Sequence, residues 1–439
     1  MANEQSLFDV HAPPGLATQT ASRFLAFVRD RGLPFLKSAD DTTLRTLALG
    51  IRSALLRLTK GPLRSNGSGA ESTFASLEDT DQGTLFPDNR EAFLAKCAAV
   101  ERAQHSIDCA LYYLADDATG GRFADLLMRA SARGVCVRLG VDAHASMEKQ
   151  YGPFGYATNA ARGSLALLES LRRAGCEVTL LGSDAWSMHR KFLFVDRQEL
   201  VIGGRNVADH YAEPGWRDLE LALRGPFAES FSSVIDGTFE HPTKTPPRQP
   251  GVLAGVPGQA GAAFAHAVGA LVEDAQSTID IEHAYLLSHP WLENALRAAV
   301  ERGVRVRAFS NSGASNDLPF MNWRLATSAR ALAGAGVQVF RRTAPSATLH
   351  TKLVIGDRRR VVFGSSNLDY YSPTFCAELD MAIESVALAA QLTTVFEEGL
   401  REPTTQAVVP GTSAANDLER ECSPWSVSRI CDLVMHDMQ

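Results

Sequence analysis

The nine residues MHRKFLFVD, Met188 to Asp196, return in altered form as LHTKLVIGD, Leu349 to Asp357. Each copy spells His-x-Lys-x-x-x-x-Asp. Each is followed by a short glycine-led segment ending in Asn, GGRN (Gly203 to Asn206) and GSSN (Gly364 to Asn367). The separation from Lys191 to Asn206 is the same as that from Lys352 to Asn367. On a strand, residues i and i+2 share a face, so His189 projects with Lys191 and His350 with Lys352. Identical spacing in both copies implies that each half delivers the same His, Lys and Asn trio to one place.

The repeat extends well beyond these motifs. AQHSIDCALYYL (Ala103 to Leu114) resembles AQSTIDIEHAYL (Ala275 to Leu286), and RGVCVRLG (Arg133 to Gly140) resembles RGVRVRAF (Arg302 to Phe309). LRRAGCEVTLL (Leu171 to Leu181) resembles LAGAGVQVFRR (Leu332 to Arg342). The order is kept and the offset drifts only from 172 to 161, which is the pattern of one duplicated unit of about 150 residues. Within each unit, helix-like and strand-like segments alternate before a final run of strands. That grammar predicts an α/β fold in which each half is a mixed β-sheet flanked by helices. FLFVD and LVIGD are apolar continuously rather than alternately, as expected of strands buried on both faces.

The chain divides on this reading into an N-terminal extension (1–75), a first lobe (76–240), a Pro- and Gly-rich linker (241–258), a second lobe (259–400) and a tail (401–439). In the extension, Thr42 to Lys60 carries Leu44, Leu47, Ile51, Leu55 and Leu58 at helical spacing, with only positive charges. Such a helix either lies on an anionic bilayer or packs on the body of the protein. No run of 18 apolar residues is present, and the first residues lack the basic and apolar regions of a secretory signal. A cytoplasmic protein, peripheral at the inner face of the cell membrane, is the resulting expectation. The seven cysteines form no C-x-x-C pair and no zinc-spaced cluster, and are read as buried reduced thiols.

Two ammonium groups and two carboxamide NH2 groups make a ring of donors for an anion with several oxygens, chiefly a phosphoryl group. Two histidines suit two-step substitution at phosphorus. One imidazole attacks and forms a phosphohistidine, while the other protonates the departing alcohol and later deprotonates the incoming one. An attacking imidazole needs an acceptor on its other nitrogen. The candidates are Asp218, downstream of His189, and Glu378, at nearly the same separation downstream of His350. Glu220 is a competitor to Asp218. Asp196 and Asp357 end their strands and are read as capping or ion-pairing groups rather than direct participants. Arg205 lies in the first turn, placed to meet either a headgroup or a neighbouring acid.

The stretches HRKFLFVD…GGRN and HTKLVIGD…GSSN resemble the paired HKD motifs of the phospholipase D superfamily, over about Glu91 to Arg401. VIGGRNVADHY with WRDLELALRGP, and SNSGASND, AGVQVF and GSSNLDYYSPTFCAELDMAI, resemble the two halves of bacterial cardiolipin synthases. The resemblance implies two lobes related by a pseudo-twofold axis with one shared active site. It implies no metal and no cofactor, and phosphatidyl transfer through a phosphohistidine. On it His189 matches the nucleophile and His350 the acid/base. Lys191, Lys352, Asn206, Asn367 and Ser365 match a phosphate clamp, and Asp218 and Glu378 match the carboxylates that orient the histidines. The chain departs from the family at EHAYLL, where only Tyr285 is kept, and at LPFMNW after SND.

Four functions are open on these residues: a phosphatidyltransferase making cardiolipin, a phospholipase D hydrolase, a nucleic-acid phosphodiesterase, and a non-catalytic lipid-binding scaffold. Two complete motifs argue against the scaffold. The formal net charge of -7 gives no global basic field for nucleic acid. Arg341, Arg342, Arg358, Arg359 and Arg360 are a basic cluster that suits anionic headgroups as well as DNA. With the Thr42 to Lys60 helix, the expected partners are a phospholipid substrate, an alcohol or lipid acceptor and an anionic membrane surface, with nucleic acid less favoured. Oligomeric state is not set by the sequence.

Overall fold

The computed structural model describes residues 73–409 apart from 79, 144, 147–164, 184–185, 256–260, 319–320, 346, 370–371 and 373–375. The Thr42 to Lys60 segment, the tail beyond 409, Cys422 and Cys431 lie outside the described residues. The chain begins with β1 (Ala75–Ser76) and β2 (Gln82–Phe86). Helices at Asn89–Arg102, Ala118–Ala132 and Leu165–Arg173 then alternate with β3 (Ser106–Leu111), β4 (Cys136–Asp142) and β5 (Glu177–Leu181). β6 (Ser187–Met188), β7 (Phe192–Val195), β8 (Glu199–Gly203) and β9 (Glu220–Arg224) follow. The second half runs through β10 (Val252–Ala254), β11 (Thr278–His283), β12 (Arg305–Asn311), β13 (Gln338–Arg342), β14 (Lys352–Gly356), β15 (Arg360–Gly364), β16 (Cys376–Ala377), β17 (Leu379–Glu384) and β18 (Thr405–Ala407).

The first sheet has the order β2-β9-β8-β7-β3-β4-β5, and the second contains β17-β15-β14-β11-β12-β13. Leaving out β2, the two orders coincide strand for strand. In both, the three helix-linked strands are parallel and the three that follow are antiparallel. The expected mixed α/β architecture in two related lobes is therefore present. β10 lies within the segment expected as a plain linker and pairs with β17, where β1 also pairs. A three-residue apolar stretch, VLA, is enough to close a sheet edge there.

The continuous apolar runs have a direct explanation. Phe192 and Phe194 belong to a buried cluster that also takes Leu353, Ile355, Phe363 and Met381 from the second sheet. Leu193 and Val195, on the other face of β7, join the cluster beneath the first lobe's helices. Val354 of β14 likewise packs beneath the helices of its own lobe. Each central strand thus has one face on its helices and the other on the opposite lobe, so neither face reaches water.

Asp196 and Asp357 end β7 and β14, away from the histidines. Asp196 accepts from the backbone N–H groups of Gln104, His105 and Ser106 at 2.9, 2.7 and 2.9 Å. Asp357 accepts from Gln276, Ser277 and Thr278 at 2.9, 2.7 and 2.9 Å. Each carboxylate holds the start of the neighbouring antiparallel strand, β3 or β11, as the capping reading expects. The turn itself is strained, with φ of 51° and 57° at Asp196 and Arg197, and 51° and 53° at Asp357 and Arg358. Asp tolerates this region better than most residues, and its three hydrogen bonds offset the cost. Cys97, Cys109, Cys176 and Cys376 are buried thiols as expected, but Cys136, at the first position of β4, is exposed.

Replacing Asp196 by Ala frees three backbone donors and lowers stability by about 2 kcal/mol in denaturant unfolding. An unchanged midpoint would contradict the capping role. A second expectation concerns His283, buried at the position Leu111 occupies in the first lobe. Burial, then Lys352, hold its imidazole well below 6.5. The folded form therefore binds fewer protons than the unfolded one, and stability is lost as pH falls below about 6.5. The melting-temperature difference between His283→Leu and the wild type should move in the variant's favour from pH 7 to pH 5. A difference independent of pH would contradict it.

Candidate active site

Two short ribbons carry the motif histidines, and each ribbon is made by both lobes. β6 pairs in parallel with β16, and the His189 N–H donates to Ala377 O at 2.9 Å. In the second ribbon Arg217 bridges Leu349; its N–H donates to Thr348 O, and the His350 N–H donates to Arg217 O, both at 2.7 Å. The consequence is an exchange of carboxylates. His189 Nδ1 lies 2.9 and 3.0 Å from the two oxygens of Glu378, and His350 Nδ1 lies 2.7 Å from Asp218 Oδ2. In sequence each carboxylate follows the histidine of its own half; in space each serves the histidine of the other.

In its ionised form each carboxylate only accepts, so that Nδ1 of its imidazole then carries the proton and Nε2 keeps its lone pair. Lys352 Nζ lies 3.0 Å from His350 Nδ1 and directs a hydrogen to His350 O, while Lys191 Nζ donates to His189 O at 2.7 Å. Burial, reinforced by Lys191 and Lys352, holds both imidazoles well below 6.5. Burial also pushes Lys191 down to about 7, against the opposing pull of Glu378, and lowers Lys352. It pushes Glu378 up to about 8 and raises Asp218. Each histidine feels the lysines of both lobes, and His350 also feels His189, so the two motifs form one site. The His189 side chain is 15% exposed and that of His350 7%, so His189 is the more open of the two.

The remaining candidates separate by what they touch. Asn206 accepts from the Tyr112 N–H at 2.9 Å and donates to Tyr211 Oη at 3.0 Å; Asn367 donates to Ser372 Oγ at 3.2 Å. Each carboxamide nitrogen keeps a second hydrogen for an anion. Ser365, expected in the phosphate clamp, is instead engaged with the carboxylate. It donates to Glu378 Oε2 at 2.6 Å and accepts from Leu379 N at 2.9 Å, with no exposed surface. Its counterpart is Gly204, where a Cβ would stand 2.5 Å from both oxygens of Asp218. The first lobe thus gives the shorter acid room to approach, and the second gives the longer acid a hydrogen-bond donor. Glu220 pairs with Lys96, which settles the choice of histidine partner for Asp218. Arg205 meets no open headgroup space. It is buried and donates to Asn89 Oδ1, Pro87 O and Asp218 O, fixing the backbone beside the carboxylate.

Several contributors were not picked out in the sequence. Asp142 Oδ2 accepts from Met188 N at 2.7 Å, and Asn311 Oδ1 accepts from Leu349 N at 2.9 Å. Both hold the residue preceding a histidine, and both sit at matching positions of the repeat. Five rings of the first lobe form a wall beside the histidines. Tyr112 meets His189 edge-on at 5.3 Å, while Tyr211 and Trp216 lie 5.7 and 5.2 Å from His350. Tyr113 and His210 continue the wall, joined through Tyr113 Oη and His210 Nε2 at 3.0 Å. The basic cluster around the second motif is largely neutralised. Arg342 pairs with Glu402, Arg358 with Glu397, Arg359 with Glu384, and Arg360 with Glu384 and Asp274. Arg341 is buried.

With this geometry in hand, the chain was compared with known proteins. Residues 97–222 and 269–400 each match the family described as cardiolipin synthase, PLD-like domain. Over 342 residues the chain is 25% identical to cardiolipin synthase 2 of Bacillus cereus, which covers 71% of this chain and 63% of that protein. Over 321 residues it is 25% identical to cardiolipin synthase of Geobacillus thermodenitrificans, covering 66% and 60%. The chain therefore spans less than two thirds of the length of these relatives. Phosphatidylserine synthase of Haemophilus influenzae superposes with a TM-score of 0.64 at 14% identity, over 83% of this chain and 96% of that one. Polyphosphate kinase of Porphyromonas gingivalis superposes with a TM-score of 0.52 at 13% identity, over 75% and 48%. At such identities the likeness is one of fold. The two matched segments cover more than half of the sequence, and each brings one His-x-Lys motif at the entry to a central strand, one Asn turn and one exchanged carboxylate. The chain belongs to the cardiolipin synthase, PLD-like domain family.

Proposed function

We propose that the chain is a phosphatidyltransferase that acts on phosphatidylglycerol or a related phospholipid through a phosphohistidine intermediate. The observation that carries this reading is the crossed pair of histidine–carboxylate hydrogen bonds. It leaves Nε2 of one imidazole from each lobe available to a single bound phosphodiester. His189 Nε2 attacks phosphorus, and the bond to the departing alcohol oxygen breaks as His350 Nε2 supplies its proton. The positive charge gained by the His189 ring is balanced by Glu378. The acceptor hydroxyl then gives its proton to His350 and attacks the phosphohistidine, returning His189 to its starting state. His350 is held neutral in the empty site by burial and by Lys352 and Lys191. A phosphodiester anion offsets those two charges and favours the second proton when substrate is present. Lys191, Lys352, Asn206 and Asn367 supply the donors around the phosphoryl oxygens.

Water and a lipid hydroxyl compete for the same intermediate. The aromatic wall of Tyr112, Tyr113, His210, Tyr211 and Trp216 reduces the room for water beside the histidines, which supports transfer over hydrolysis. The pairing of Arg342 and Arg358–Arg360 with acids removes much of the argument for a nucleic-acid track. Among the described residues no helix is long and apolar enough to cross a membrane. A peripheral position at the inner face of the membrane fits this reading.

Incubation with labelled phosphatidylglycerol vesicles, followed by product identification, tests the assignment. Cardiolipin is the expected product; phosphatidic acid alone would replace transfer by hydrolysis, and no lipid product would overturn the substrate class. His189→Ala and His350→Ala should each lower turnover by about 10³-fold or more. The two differ with an aryl phosphodiester, whose leaving group needs no proton. His350→Ala should recover release of the aryl alcohol, whereas His189→Ala should not. Recovery in His189→Ala instead would exchange the two roles.

A further inference from the structure

Each exchanged ribbon is flanked by one arginine, fully buried in the first and 13% exposed at its side chain in the second, and the two stand at unlike positions of the repeat. In the first ribbon it is Arg190, between His189 and Lys191, where the second motif has Thr351. In the second ribbon it is Arg217, next to Asp218, where the other carboxylate strand has Ala377. The duplication therefore does not explain them, since neither arginine has an arginine as counterpart. Both come from the first lobe, and both reach into the second.

Their contacts are specific. Arg190 is 2% exposed and donates to Glu378 O at 3.2 Å, Gly255 O at 2.8 Å and Thr238 Oγ1 at 2.7 Å. Thr238 belongs to a first-lobe helix (Ser232–Glu240), and Gly255 follows β10 on the edge of the second sheet. One guanidinium thus joins the first lobe, the crossover segment and the backbone of the very residue whose carboxylate holds His189. Arg217 donates from Nε and Nη2 to the two oxygens of Glu282 at 2.9 and 3.1 Å, and from Nη2 to Val395 O at 2.8 Å. Glu402 lies 3.4 Å from Nη1. The second-lobe helix Val386–Arg401 leaves space for this side chain at Gly399, where a Cβ would stand 2.5 Å from Nη2. The backbone of Arg217 meanwhile carries both ribbon hydrogen bonds to Thr348 and His350.

We infer that Arg190 and Arg217 are positioning residues, each locking one histidine–carboxylate pair across the lobe boundary. Arg190 sets Glu378 against His189, and Arg217 sets Asp218 against His350. The planar fork of a guanidinium suits the task, because it fixes several acceptors at once in one geometry. A displacement of about 1 Å in either ribbon changes which nitrogen of the imidazole is protonated or where Nε2 points, at a cost of about 10²-fold in rate. This inference rests on the histidine–carboxylate geometry and not on the lipid assigned above.

The test follows the Nδ1 protons by NMR of the full chain labelled with ¹⁵N-histidine, with His189→Ala and His350→Ala used to assign the two protected signals. Arg190→Met should broaden or shift the His189 signal and leave that of His350 in place. Arg217→Met should do the reverse, and so should Gly399→Ala, which displaces the Arg217 guanidinium without removing it. Arg190→Lys should restore part of the His189 signal. In steady-state assays with a soluble aryl phosphodiester, kcat should fall about 10- to 100-fold with little change in KM. Selective loss of one signal per arginine supports the inference. Simultaneous loss of both signals in each variant would reduce the arginines to general supports of the fold, and retention of both would remove any role. Because the NMR signals need no substrate, these outcomes stand whichever acceptor the enzyme uses.

Discussion

A carboxylate from each lobe grips the histidine of the other, and the rest of the molecule is arranged to make that exchange possible. Asp218 and Glu378 are almost fully buried, and so is His350. Separating the lobes would take each carboxylate from its imidazole and leave neither lobe with an intact pair. The apolar faces of the two sheets must therefore stay together. They do so through a shared cluster in which Phe192 and Phe194 lie with Leu353, Ile355 and Phe363. Neither lobe holds a complete histidine–carboxylate pair alone. Duplication within a single chain guarantees the matching pair at an effectively high local concentration.

The symmetry that builds the site is broken in the surroundings of the two histidines. Gly204 lets a short acid approach His350, while Ser365 donates to the longer acid that holds His189. Tyr211 supports Asn206, and the smaller Ser372 supports Asn367. All five rings of the aromatic wall come from the first lobe. The outcome is one imidazole more open than the other, although Nδ1 of each meets a carboxylate from the opposite lobe. A duplicated scaffold provides equal groups, and substitutions around it give them unequal surroundings.

The repeated His-x-Lys motifs, the alternation of helix and strand and the Asn turns were legible because they are local or periodic, although His189 and His350 stand just before the central strands rather than on them. Continuous apolar runs such as FLFV named the doubly buried strands, since burial on both faces leaves no polar position in the pattern. The capping role of Asp196 and Asp357 was also within reach, as Asp at the end of a strand before a turn is a local signal. The crossing of Asp218 and Glu378 was not, because near-equal spacings from the two histidines look the same whether the carboxylates stay or exchange. Ser365 was read outward, toward substrate, and Arg205 either way, toward a headgroup or an acid; each faces a carboxylate or a carbonyl within the protein. Their partners are non-local, and nothing in the flanking residues announces them. Asp142 and Asn311 lay in plain view at matched repeat positions, but their polar side chains end strands whose other residues read only as core.

The central claim is that one imidazole attacks phosphorus and the other governs the proton, so that each turnover contains two in-line displacements. The stereochemical course at phosphorus tests this most directly. A phosphodiester substrate made chiral by sulfur and isotopic oxygen should be transferred to its alcohol acceptor with overall retention of configuration, since two inversions cancel. Overall inversion would mean a single direct displacement. It would leave the crossed histidine pair as a binding device rather than the seat of a phosphohistidine.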